Sequence, residues 1–218
     1  MNVTCSKCSN LGLQFFSKTV SPSEYIEGNP NADIWIIGLN PKDKIGHVEE
    51  RTKTEFENFS PLIHPYFADF NKVSKTLYAN WLGEHSNIAH TDLVKCFSNS
   101  FPPKIVVDGK EKKLNKKKII NNCSEHLYNQ IQQGKPKVII CNGSPVSWEV
   151  VNLFPPKIDY TDIKELTSYK TNVTFVNGET HEFWVLLSGF IGRIDDWSKR
   201  RLGKELETIL LKEGITLQ

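Results

Sequence analysis

The chain has 218 residues, 39% of them hydrophobic and twelve of them Phe, enough to bury one ordinary core, so length predicts a single domain over residues 1–218. Its 27 basic and 25 acidic residues leave a formal charge of +2, so any contact with nucleic acid has to come from local clustering rather than bulk attraction. No stretch approaches the roughly 20 apolar residues of a membrane span, and Met1 to Cys5 lacks a basic-then-apolar leader pattern. These features predict a cytoplasmic protein with no membrane partner.

In chain order, the first regular element is the apolar run Ile34 to Gly38, which stops abruptly at Leu39-Asn40-Pro41. A helical pattern follows over 67–85, then a second strand pattern from Ile88 to Cys96. The segment 97–122 is a lysine-rich insertion. In it, Val107-Asp108-Gly109-Lys110 predicts a hairpin turn, and six lysines fall within the nine residues 110–118. A solvated loop and a DNA-phosphate contact are both open for it, the loop being favoured. Helical patterns over 116–134, 144–154 and 195–214 alternate with strand patterns at Lys137 to Cys141 and Phe183 to Gly189. Strands alternating with helices predict an α/β fold with a largely parallel sheet. Such sheets bind ligands at the carboxyl ends of their strands, here Asn40, Asp92 to Cys96, Asn142 to Ser144 and Ser188 to Arg193.

Five cysteines in a reducing compartment point to metal ligation or plain burial rather than disulfides. Cys5 and Cys8 form a C-x-x-C, Cys96 ends a strand and Cys123 sits on the next helix, which together make a soft four-ligand set. A [4Fe–4S] cluster, Zn²⁺ and unmetallated buried thiols all remain open on the residues alone. Cys141 lies inside a strand and reads as core.

Taken in order, these parts resemble the uracil-DNA glycosylase superfamily, most closely its iron–sulfur branch. "CSKCSNLGL" is similar to that branch's N-terminal Cys-x-x-Cys-x-x-Leu, and "ADIWIIGLNP" stands in the place of the first catalytic motif. "TDLVKCFSNSFPP" is similar to the branch's Asn-Val-Val-Lys-Cys-Arg-Pro-Pro, and "CSEHLYNQIQQGKPKVIICNGSPVSWEVV" to its helix, strand, turn and following helix. The resemblance implies a three-layer α/β/α fold around a mostly parallel four-stranded sheet. It also implies a monomer acting on DNA, and a structural cluster held by Cys5, Cys8, Cys96 and Cys123. The interval from Cys96 to Cys123 is longer than the branch usually shows.

Breaking an N-glycosidic bond requires a flipped nucleotide, a stacked base, a stabilised leaving group and a placed water. Gly38-Leu39-Asn40-Pro41 is similar to the Gly-Ile-Asn-Pro of mismatch-specific and thymine-DNA glycosylases, which implies that Asn40 orients the water. An amide holds a water through its carbonyl oxygen but neither takes a proton nor carries charge. Tyr66 or Phe67 stands where the family has a ring that stacks on the base, although seven aromatics between Phe56 and Trp81 make core packing the rival role. Lys42 replaces the Tyr that blocks the base's 5-position in the strictly uracil-specific branch.

Asp92 replaces the family's base-reading Asn. A carboxylate only accepts, which disfavours O4 of uracil and suits the N4 amine of cytosine. A pairing of Asp92 with Lys95 is the alternative. At the last motif Ser188-Gly189 stands where the family has His-Pro, so the resemblance places Ser188 at O2 of the base, Phe190 or Ile191 as the wedge and Arg193 on phosphate. Gly143-Ser144 resembles the family's phosphate-contacting turn at a helix start. The expected activity is a DNA glycosylase that releases a 5-modified cytosine such as phage DNA carries. The alternatives are a uracil-repair enzyme and a DNA-binding module without catalysis.

Overall fold

The computed structural model describes residues 5–11, 13, 15, 17, 19–41, 52–58, 60, 65–81, 86–98, 100–157 and 166–217. Lys42, expected beside the base's 5-position, lies outside the described residues.

Among these residues, one six-stranded sheet runs in the order β1-β3-β2-β6-β8-β7, from β1 (Glu27–Gly28), β2 (Ile34–Gly38), β3 (Ile88–Asp92), β6 (Val138–Cys141), β7 (Ser168–Thr174) and β8 (Thr180–Leu186). The four inner strands β3, β2, β6 and β8 are mutually parallel, as expected. Antiparallel β1 and β7 extend the sheet at its two edges. β2 and β6 are buried at every position because helices cover both sheet faces, which is why they read as unbroken apolar runs.

On one face Ile34, Ile36, Ile88, Val138, Ile140 and Leu186 pack with Phe70, Val73, Leu77, Leu202, Leu206 and Ile209. The helices there are α2 (Phe70–Val73), α3 (Lys75–Ala79) and α6 (Asp196–Glu213). On the other face Trp35, Ile37, Ala89, Ile139, Cys141 and Val185 meet α4 (Lys116–Gly134) and α5 (Ser144–Leu153) through Ile120, Leu127, Ile131, Val146 and Val150. Cys141 is a core residue.

The pattern over 67–85 is not one helix. Ser74 adopts an extended conformation, ends α2 and caps α3 by accepting from the Leu77 N–H at 3.2 Å. α4 is capped by Asn115, whose side chain accepts from the Lys118 N–H at 3.1 Å. Ahead of it, β4 (Lys104–Val107) and β5 (Lys110–Lys113) form a separate hairpin. Asp108 and Gly109 turn it with φ of 51° and 72°, both left-handed, as two-residue hairpins require.

Candidate functional site

Parallel pairing of β2 with β3 sets Gly38 beside Asp92 and Ile36 beside His90. A Cβ on Gly38 would stand 2.2 Å from Asp92 Oδ1, 2.9 Å from His90 Nε2 and 3.3 Å from Tyr66 Oη. Glycine is therefore required for space: it lets two polar atoms of β3 and the Tyr66 hydroxyl converge over one backbone position. Asp92 is 3% exposed. Its Oδ2 accepts from the Tyr25 hydroxyl at 2.9 Å, and its Oδ1 lies 3.9 Å from His90 Nε2. Burial pushes the Asp92 carboxyl above the ordinary range; His90 pulls it back most, Glu27 adds to the rise, and Tyr25 and Lys95 oppose it.

The expected alternative pairing of Asp92 with Lys95 is made through the backbone. Lys95 Nζ donates to the Asp92 carbonyl, and to Thr91 Oγ1 and Gln130 Oε1 at 2.7 Å each. Burial draws the Lys95 ammonium down to about 7. The Asp92 carboxylate is thus left to the site.

Asn40 is 8% exposed at the end of β2. Its Nδ2 donates to the Ser98 carbonyl at 2.8 Å and the Pro41 carbonyl at 3.0 Å. Two acceptors on one side fix the orientation of the amide, and Oδ1 is left buried with no protein donor among the described residues. Leu39 is half-buried and packs on the α4/α5 side of the sheet; its carbonyl accepts from the Val94 N–H at 2.9 Å, tying the two strand ends together.

Tyr66 is half-buried, whereas Phe67 is sealed beneath it against Phe70 and Trp81, with ring centroids 6.3 and 4.6 Å away. Of the two expected stacking residues, Tyr66 stands at the site and Phe67 serves the core. Asn142, at the end of β6, holds two parts of the site at once: Nδ2 donates to Tyr66 Oη at 2.9 Å and Oδ1 accepts from the Ile191 N–H at 2.9 Å. Phe190 is half-buried with its ring 5.5 Å from that of Tyr66, and the exposed Arg193 guanidinium lies 5.8 Å from the Phe190 ring. Ile191 is fully buried, so of the two residues expected as a wedge only Phe190 reaches the surface.

The Ser188 hydroxyl donates to the Gly189 carbonyl at 2.8 Å and would have to turn to meet a base. Ser188 and Gly189, with Ser144, Leu187 and Trp148, line a cavity of about 210 Å³ on the α5 side of this loop. A Cβ on Gly189 would meet Ile194 Cγ2 at 2.7 Å. Gly143 caps α5 with a φ of 129°, which only glycine holds without strain, and the exposed Ser144 opens the helix toward the same end of the sheet.

Cys8, Cys96 and Cys123 are buried and Cys5 is half-buried at a corner between the N-terminal segment and α4. A hydrogen bond from the Cys96 thiol, helped by Lys95 and Lys7, holds the Cys123 thiol below its usual range, while burial raises Cys8. Cys5 Sγ lies 3.6 Å from His126 Nε2. Among the described residues no three His, Cys, Asp or Glu side chains stand in a metal-ligating arrangement.

Three residues of this site were not singled out from the sequence, Tyr25, Glu27 and His90, whereas Asn142 was expected only as part of the strand end Asn142 to Ser144. His90 carried a visible signal, an ionisable residue at the centre of a strand two positions before Asp92. Tyr25 and Glu27 carried none, because they reach the site only through pairing of β1 with a strand over sixty positions away.

No curated protein matches the chain. A model of the uracil DNA glycosylase superfamily matches residues 25–191, a span that begins at the Tyr25 bonded to Asp92 and ends at the Ile191 bonded to Asn142. The chain belongs to the uracil DNA glycosylase superfamily, whose members are DNA glycosylases.

Proposed function

We propose that this protein hydrolyses the N-glycosidic bond of a flipped, 5-modified cytosine nucleotide and leaves an abasic site. The observation that carries the reading is Asp92. With Oδ2 occupied by Tyr25, the atom turned over Gly38 is Oδ1, an acceptor where the family reads uracil with an amide. An acceptor there suits the N4 amine of a cytosine and repels O4 of uracil.

In this reading Tyr66 stacks on the base, and the Ser144 N–H that opens α5, with Arg193, holds phosphate. The bond from C1′ to the base nitrogen breaks with its electron pair leaving on the base. A water held by Asn40 Oδ1 adds to the cationic sugar and gives its proton to solvent, since the amide cannot take it. Ser188 donates to O2 of the departing base once its hydroxyl leaves Gly189. An enzyme that removed ordinary cytosine would destroy its host's own DNA, so the target carries a substituent absent from the host. Phage genomes with hydroxymethylated or glycosylated cytosine supply such a base, and the role is antiviral.

One observation favours a second reading. Burial raises Asp92, and a protonated Asp92 donates to O4 much as an amide does, which would suit uracil repair. Release assays on duplexes bearing uracil, cytosine and 5-hydroxymethyl- or glucosylated cytosine separate the two. Abasic product from the modified cytosines alone is expected, and Asp92→Asn should transfer activity toward uracil. Efficient wild-type release of uracil would sink the cytosine reading; duplex binding with no abasic product from any base would leave a DNA-binding module.

The cysteines belong to the same proposal: Cys5, Cys8, Cys96 and Cys123 hold a structural [4Fe–4S] cluster, with Zn²⁺ as the alternative occupant. Their support is the number and softness of the donors at one corner. The cluster would pin the N-terminal segment to α4 and take no part in base release. Anaerobically purified protein should be brown and contain iron; a colourless, zinc-containing preparation counts against it.

A further inference from the structure

Glu27, His90 and Asp92 form a row of ionisable side chains sealed beneath the base site. Glu27 and His90 are direct cross-strand partners in β1 and β3. Glu27 Oε2 lies 2.7 Å from His90 Nδ1, and His90 Nε2 lies 3.9 Å from Asp92 Oδ1. With its Nδ1 hydrogen given to Glu27, a neutral imidazole turns a bare lone pair toward the Asp92 carboxylate. Nε2 has no hydrogen-bond partner among the described residues. A proton on Nε2 changes that repulsion into attraction and sets one positive charge between two negative ones, where little water screens them.

We propose that Glu27 and His90 form a charge-setting pair that keeps Asp92 ionised, and that they thereby make the pocket floor an acceptor for an exocyclic amine instead of a donor to O4. His90 is a positioning residue here, acting through Asp92. The inference rests on the reading of Asp92 as the base-reading group. The other ionisable groups facing Asp92 are Tyr25, which donates to Oδ2, Tyr66, whose hydroxyl lies over Gly38, and Lys95, which bonds the Asp92 carbonyl. β2 contributes only Gly38 and therefore no charge. Among the influences that favour the charged carboxylate, His90 is the largest.

His90→Gln keeps a donor for Glu27 and cannot carry charge. Asp92 should then protonate at higher pH, donate to O4, and raise the ratio of uracil to 5-modified cytosine release by about tenfold or more at pH 7, since a tenfold weaker acid has a tenfold higher ratio of protonated to ionised carboxyl at any one pH. In an Asp92→Asn background the same substitution should leave the ratio unchanged. A second measurement does not depend on activity: ¹³C NMR of aspartate-labelled protein should show the Asp92 carboxyl taking its proton at higher pH in His90→Gln than in the wild type. An unchanged Asp92 titration, or an unchanged release ratio, in a folded His90→Gln overturns the pair's role. Wild-type protein that releases neither base defeats the reading of Asp92 instead, and the NMR measurement still judges the pair.

Discussion

The two halves of the site are built differently. Around β1, β3 and β2, buried ionisable groups are locked by contacts between distant segments: Tyr25 on Asp92, Glu27 on His90, and Lys95 on Thr91 and Gln130. Around β6 and β8, uncharged groups mostly bond backbone nearby in the fold: buried Ser147 Oγ donates to the Ser188 carbonyl at 2.9 Å, buried Asn142 accepts from Ile191, and α5 presents its first residue. Charge placed in a poorly screened interior discriminates sharply between donors and acceptors, whereas exposed amides and a guanidinium attract any phosphate. Base choice and DNA grip are therefore separable, and substitutions in the two halves should fail in different ways.

The largest effect is expected at Asn40, where the charged half meets the sugar. Asn40→Ala should lower base release by about 100-fold or more with duplex binding intact. Asn40→Asp is the sharper test, because it supplies the proton acceptor that the amide lacks. The amide now donates to the Ser98 and Pro41 carbonyls; a carboxylate would instead face two acceptors at 2.8 and 3.0 Å. The exchange should destabilise the fold by about 2–3 kcal/mol in urea denaturation and yield no gain in release at pH 7. Release at or above the wild-type rate would show that the carbonyls do not dictate an amide.

Next is Gly38→Ala. The added Cβ would sit 2.2 Å from Asp92 Oδ1, so the carboxylate or the strand must move, at a cost of about 1–3 kcal/mol. Base release should fall about tenfold or more while affinity for a duplex changes little, because the grip lies in the other half. The pH dependence has a definite sign. Asp92 is raised in the folded protein, so its neutral form favours folding, and that contribution is lost as pH rises through the raised value. Acidification through the same window should lower release of cytosine-type bases while adding stability, and it should begin above the range of an ordinary carboxylate. Asp92→Asn should remove both trends.

The parallel centre of the sheet was legible because strands buried on both faces leave unbroken apolar runs, as in Ile34–Gly38 and Val138–Cys141. β7 was missed: in "SYKTNVT" Tyr169, Thr171 and Val173 alternate inward with exposed or half-buried neighbours, a period-two signal too polar to stand out. Asn40 and Asp92 were legible from their positions at strand ends. What gives Asp92 its character was not, since Glu27 and Tyr25 come from a two-residue strand and the turn before it. Phe67 and Tyr66 are adjacent in sequence, and only packing assigns one to the core and the other to the site.

The smallest effects belong to the gripping half and to the lysine-rich hairpin. Arg193 is exposed and reaches over Phe190. Arg193→Ala should weaken binding only a few-fold, to all duplexes alike, and reduce the salt dependence of log K by about one. The hairpin lysines Lys110, Lys112 and Lys113 are also exposed, and Lys104 is paired with Glu111 at 2.7 Å. If the hairpin is a solvated loop, replacing those three lysines with Ser leaves both affinity and salt slope unchanged. A slope shallower by two or three would make it a phosphate contact, and the grip on DNA would then extend past α5 to the insertion between β3 and α4.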